Sequence, residues 1–262
     1  MAQWPAIRRI RFQPQEALQR GIIWGFVGLI FGALFVPLWE FARQWAGPYV
    51  GLVLATTASG AVGGLFYGSM RLAFLIAIFT NIAVFGFLVS APWPISPWVT
   101  MALGAGIGLL IGAVYGATAK DSKVFRADAK TLTGLAAGLA ASVIAMTVTV
   151  LDVPLSIAHL VGVLAPATGL FYVLLLPPMV ERFSNLLPPV GDGAVVGAAV
   201  GGFVGLGMWV VGGTVLDGLA GPWVESSHTI AQLWPEAVGF AMAGAFLLGF
   251  LRDLFNLHWV DI

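Results

Sequence analysis

His159, Pro166 and Thr168 lie in one apolar stretch of the chain, and Asn81 lies in another. Pro166 has no N–H to offer the carbonyl one turn before it, so it kinks a helix and frees an acceptor there. His159, Pro166 and Thr168 therefore outline a candidate polar pocket in the outer half of a membrane helix. An imidazole at that place is also a ligand type for haem or chlorin iron. The other two histidines, His228 and His258, fall outside the predicted helices, so a paired-histidine haem site is a poor fit. The ordinary role for His159 is a helix-end histidine hydrogen-bonded at the interface. Asn81, beside Thr80, sits midway along its stretch. An amide in hydrocarbon needs a partner, so Asn81 is expected to face the bundle as interhelical glue, with solute contact as the alternative.

Other chemistry finds little support. The chain has no Cys, which removes disulfides, thiolate nucleophiles, iron–sulfur clusters and Cys-ligated metals. It lacks GxxxxGK[ST], HExxH and a nucleophile elbow. The GDGAVVG run at 191–197 leads into a membrane helix with no preceding strand, so it is not read as a nucleotide loop. Serine-protease chemistry inside the membrane needs a Ser beside a His, and no Ser partner for His159 stands out. No catalytic residue, metal site or cofactor is assigned. Glu40, Asp152, Asp217 and Glu236 at predicted outer ends, and Glu181 and Asp192 at inner ones, read as solvated end groups. A carrier coupled to protons or sodium needs a buried carboxylate, and that class loses weight.

The elements that carry these residues are membrane helices. Of 262 residues, 59% are hydrophobic and 9% charged, where a soluble domain carries about 25% charge. Net charge is zero, so nothing in bulk electrostatics points to nucleic acid. Eight apolar stretches reach the length of roughly 20 residues that a spanning helix needs: 21–42, 48–69, 72–91, 98–119, 131–151, 157–179, 193–216 and 235–256. The fold class expected is all-α, a polytopic bundle of about eight transmembrane helices with both ends inside. Residues 1–20 form a basic cytoplasmic juxtamembrane segment. Residues 21–258 form one helix-bundle domain, with an inner loop at 120–130 and the longest outer loop at 217–234. In this arrangement Arg43 is outside and the other eleven of the 12 basic residues are inside, as positive-inside insertion requires. Trp39, Trp45, Trp93, Trp98, Trp223 and Trp234 flank the outer ends, where indole rings sit at headgroup depth.

Glycine is the other pattern. The chain has 34, and many recur every four residues: Gly60, Gly64 and Gly68; Gly104, Gly108, Gly112 and Gly116; Gly193, Gly197, Gly201 and Gly205. Residues four apart share a helix face, and a face of glycines lets another backbone come close. Packing within one bundle is the ordinary reading, and oligomerisation or a narrow path between helices the functional one. Gly60, Gly64, Tyr67 and Gly68 also align with Gly108, Gly112, Tyr115 and Gly116 at a constant offset, so a parallel hairpin repeat and a chance likeness both stay open.

Three functions follow in order. The first is a non-catalytic membrane subunit or scaffold. The second is a permease or channel for a small neutral solute, and the third a membrane-embedded enzyme. Membrane lipid is the expected partner, with a homo-oligomer or other membrane proteins beside it. The expected location is the bacterial inner (plasma) membrane. Orientation is directly testable, because a Cys-free chain accepts single reporters. Ser122→Cys should resist a membrane-impermeant maleimide in intact cells and react after permeabilisation, whereas Ser227→Cys should react in both. The reverse pattern sinks the assigned orientation.

Overall fold

The computed structural model describes residues 14–67, 69–90, 95–118, 127–183, 186–215 and 224–254. Among them the chain is all helical. The eight helices are α1 (Pro14–Ala46), α2 (Pro48–Tyr67), α3 (Met70–Ser90), α4 (Pro97–Thr118), α5 (Ala127–Val150), α6 (Ile157–Phe183), α7 (Pro189–Val215) and α8 (Val224–Leu254). Seven are long and apolar enough to cross a membrane, and α3 carries a shorter apolar run, Leu72–Leu88. These proportions are those of an integral membrane protein.

Several helices outrun the apolar stretches that announced them. The helix α1 begins seven residues before the run at 21, so part of the basic segment is helical. Val224 starts α8 inside the stretch expected as the long outer loop, and that places His228 on a helix. Ala127 starts α5 inside the expected inner loop. Gly68 lies outside the described residues.

Turn chemistry sets the ends. The helices α1 and α2 are joined by Gly47 alone, at φ 83°. Its N–H donates to the Arg43 carbonyl at 3.1 Å, and Pro48 opens the next helix. Glycine takes this left-handed cap without steric cost, and proline suits a first helical position. At the end of α5, Asp152 takes φ 51°, a conformation that short polar side chains tolerate best after glycine.

Glycine governs the close pairs. The helices α4 and α7 run antiparallel with their stripes face to face. A Cβ added at Gly104, Gly108 or Gly112 would fall on the carbonyl oxygen of Gly201, Gly197 or Gly193 respectively, and one at Gly116 on that of Pro189. Seen from α7, Gly205 meets the Thr100 carbonyl. The pair α2 and α5 repeats this register. A Cβ at Gly60 would lie 2.7 Å from the Gly134 carbonyl oxygen and 3.1 Å from Gly138 Cα, and one at Gly138 would lie 2.6 Å from the Thr56 carbonyl oxygen. Gly60 thus takes the place of Gly108, with Gly134 and Gly138 in the places of Gly197 and Gly201. In a third antiparallel pair, α1 with α8, Gly28 and Gly32 meet Ala241 and Ala237. Two apolar clusters join the pairs. One gathers Phe35, Val161, Leu164 and Ile230, and the other Ile30, Leu65, Ile76, Val196 and Val200.

Proline sets the remaining contacts. Pro37 lies inside α1 and leaves the Ala33 carbonyl without its helical donor. The Trp234 indole N–H, from α8, donates to that carbonyl at 3.0 Å. Pro166 likewise frees the Gly162 carbonyl on α6, and Gly244 of α8 packs its Cα against it, beside the proline ring. Trp234→Phe should cost about 1 kcal/mol of stability in mixed micelles. Pro37→Ala restores an N–H for Ala33, so the same change should cost much less in that background. Equal costs in both backgrounds would show that the carbonyl did not depend on the indole.

Candidate functional site

A cavity opens where α1, α2, α6 and α8 meet. It has a volume of about 30 Å³, room for one or two waters. Glycine makes the space: Gly28, Gly60, Gly63, Gly64 and Gly169 all border it. Aromatic rings, those of Trp24, Phe31, Tyr67 and Tyr172, form much of its wall. Trp24 is wedged between α6 and α8, where a Cβ at Gly249 would come within 2.7 Å of it and one at Gly169 would strike its ring. Trp24 tilts against Tyr67 at 5.6 Å between centroids, and Tyr67 meets Tyr172 edge-on at 6.0 Å. The buried Tyr172 hydroxyl donates to the Gly64 carbonyl at 3.1 Å, tying α6 to α2. Thr168, one turn earlier on α6, also lines the cavity. It is 5% exposed, and its buried hydroxyl has no hydrogen-bond partner.

The four residues expected to outline a pocket are not gathered together. Thr168 reaches the cavity, and Pro166 packs next to it against Gly244. Asn81 lies apart on α3, where its amide donates to its own helix at the Ala77 carbonyl, 2.8 Å away. His159 is exposed in the first turn of α6. Its Nδ1 is 2.6 Å from the Ser156 hydroxyl, and its backbone N–H points to the same oxygen at 3.3 Å. The ring rests on Phe240 at 4.5 Å. His159 therefore does have a serine neighbour. That serine is the helix cap, and the histidine stands where a capping box carries glutamate, though its ring meets the serine hydroxyl rather than the Ser156 N–H. Ser-x-x-His ahead of an apolar run was the signal for it.

Two acidic clusters are more tightly held than solvated end groups. Glu40 is 4% exposed and takes both Arg43 nitrogens, Nε at 2.7 Å and Nη2 at 2.8 Å. Arg43 also lies over the Trp39 ring, 4.7 Å from its centroid. The one basic residue assigned to the outer side is thus paired. At the start of α5, the buried Asp128 accepts the Leu186 N–H at 2.7 Å. The buried Asp192 of α7 in turn accepts backbone N–H groups of Ala127 and Asp128. The beginnings of α5 and α7 are tied reciprocally through carboxylates set where helix N-termini favour anions. Among the described residues no group of three His, Asp or Glu is placed to hold a metal ion.

No protein-family model, curated protein or solved structure matches the chain. The cap reading of His159 separates two variants. Ser156→Ala should lower stability by about 1 kcal/mol, while His159→Ala should leave the protein folded with a smaller loss. Thermal unfolding in detergent measures both. A coloured preparation that loses its colour in His159→Ala would instead make the imidazole a pigment ligand.

Proposed function

We propose that this protein is a non-catalytic integral membrane subunit, a rigid helical platform held by its glycine stripes. The observation that carries the reading is the backbone contact of α4 with α7, repeated at each glycine from Gly104 to Gly116. Helices in such contact have no intervening side chains to rearrange, so they slide or separate only at the loss of many contacts together. The stripes of α2, α4, α5 and α7 are spent inside the bundle. A partner, whether a second copy or another membrane protein, therefore meets the outer surface, where large apolar side chains and single glycines such as Gly86 and Gly106 lie, rather than these stripes. The asymmetry of basic residues and the helical architecture together favour the inner membrane of a bacterium.

A permease for a small neutral solute is the second reading. The cavity among α1, α2, α6 and α8, with Thr168 in its wall, favours it.

Native purification in mild detergent, followed by mass analysis, distinguishes the two. A subunit should co-purify with a stoichiometric partner or as a defined oligomer. Gly108→Leu should abolish the monodisperse peak, while Gly106→Leu, whose Cβ meets nothing within 4 Å, should keep it. A lone monomer that speeds glycerol or urea entry into proteoliposomes would overturn the subunit reading in favour of the permease.

A further inference from the structure

We propose that the cavity between α1, α2, α6 and α8 is a resident site for one or two water molecules, held by the Thr168 hydroxyl. The inference goes beyond both functional readings and depends on neither. Apart from Thr57 and Thr80, whose buried hydroxyls also lack a partner, described threonines elsewhere in the bundle bond back to their own helix, as Thr56 does to the Leu52 carbonyl, Thr133 to Ala129 and Thr149 to Ala145. That is the usual way to satisfy a hydroxyl in hydrocarbon. Thr168 does not do so, and it is the unpartnered threonine that lines the cavity. Ser59, wholly buried and also unpartnered, lies one turn from Gly63 on the face of α2 that borders the same space. Ser59 is not itself among the residues lining the cavity; a Cβ at the next residue, Gly60, which does line it, would lie 3.1 Å from Thr168 Cγ2, so Thr168 packs directly against α2 there.

Size and chemistry agree on the ligand. A volume of about 30 Å³ exceeds what one water needs and is too small for a lipid chain or an aromatic ligand. A hydroxyl both donates and accepts, so it suits water or an equally small neutral molecule better than an ion. Ions are further disfavoured because the remaining wall is aromatic and aliphatic. Val27, Tyr67 and Gly169 are the lining residues that are not fully buried, so the cavity is not sealed on that side.

Two measurements on the intact protein test the site. Thr168→Val keeps the shape and removes the hydroxyl. If water is bound there, the unfolding midpoint in detergent should fall by about 2–4 °C; an unchanged or higher midpoint overturns the proposal, because an unpartnered hydroxyl is better replaced by methyl. Water-edited solid-state NMR in lipid decides the matter should that variant not fold. Thr168 and Gly64 should receive magnetisation from water, while Gly108 and Gly197 on the α4–α7 seam should not. A Cβ at Gly63 meets only Val27, at 3.5 Å, so Gly63→Ala is sterically allowed and should reduce the Thr168 signal several-fold. Thr168 as dark as Gly108 in the unmodified protein also overturns it.

Discussion

Hydrocarbon leaves a polar backbone nowhere to turn except to protein, and this single constraint organises the bundle. A regular helix meets it alone. Pro37 and Pro166 break the regularity, and each break is answered from α8. The Trp234 indole N–H reaches the carbonyl that Pro37 frees, and Gly244 closes over the one that Pro166 frees. The two prolines thereby fix where α8 must lie against both α1 and α6. A residue that weakens one helix specifies the position of another. The Tyr172 hydroxyl on the Gly64 carbonyl and the Trp209 indole on the Ile95 carbonyl extend the same logic to α6–α2 and to α7 with the segment before α4.

Glycine solves the packing problem that this constraint leaves open. Lipid tails are as apolar as leucine, so helices gain nothing by merely hiding apolar surface from lipid. They gain from close contact, which needs small residues at the seam. The α4–α7 seam uses glycine on both sides over successive turns. The α2–α5 seam is mixed, with Thr56 and Lys130 contributing backbone where α4–α7 has Gly104 and Gly193. The α1–α8 seam sets glycine against alanine. The cavity is a by-product of the same economy of side chains. Beside the contacts that Gly60 and Gly64 make with α5, space remains, bordered by Trp24, Tyr67 and Tyr172.

Much of this architecture was legible in the residues. Length and continuity of the apolar stretches identify the helices, because the hydrocarbon slab dictates both. Helix ends are harder, since α1 and α8 continue as helices among polar residues where hydropathy has no signal. Stripes of glycine at four-residue spacing are visible, but their partners are not. Nothing local says that Gly108 meets Gly197, three helices further along the chain. The candidate pocket was the least legible part. Asn81 has an acceptor one turn back in its own helix, so its amide is satisfied without a neighbour. Ser156 is a helix cap, and a search for distant catalytic serines passes over a residue three positions away. Trp24, Tyr67 and Tyr172 come from three helices, and only their packing reveals a shared wall. Glu40 was read as solvated because it lies near a helix end, yet Arg43 on the following turn takes both its oxygens.

The distribution of glycine also bears on how the molecule meets its surroundings. Close seams consume the stripes, and what faces outward is large. Phe74, Ile78, Phe79, Ile82 and Phe85 of α3 are each more than half exposed. This helix leans chiefly on α7 and α4. No glycine pair holds α3 as such pairs hold its neighbours, and its own Gly86 meets nothing within 4 Å. Detaching it would disturb no backbone seam, whereas detaching α4 or α7 would open a whole one. The rigid part of the bundle is therefore the set of antiparallel pairs, with α3 as the helix least constrained by them. Any change of shape that spares the seams must begin there.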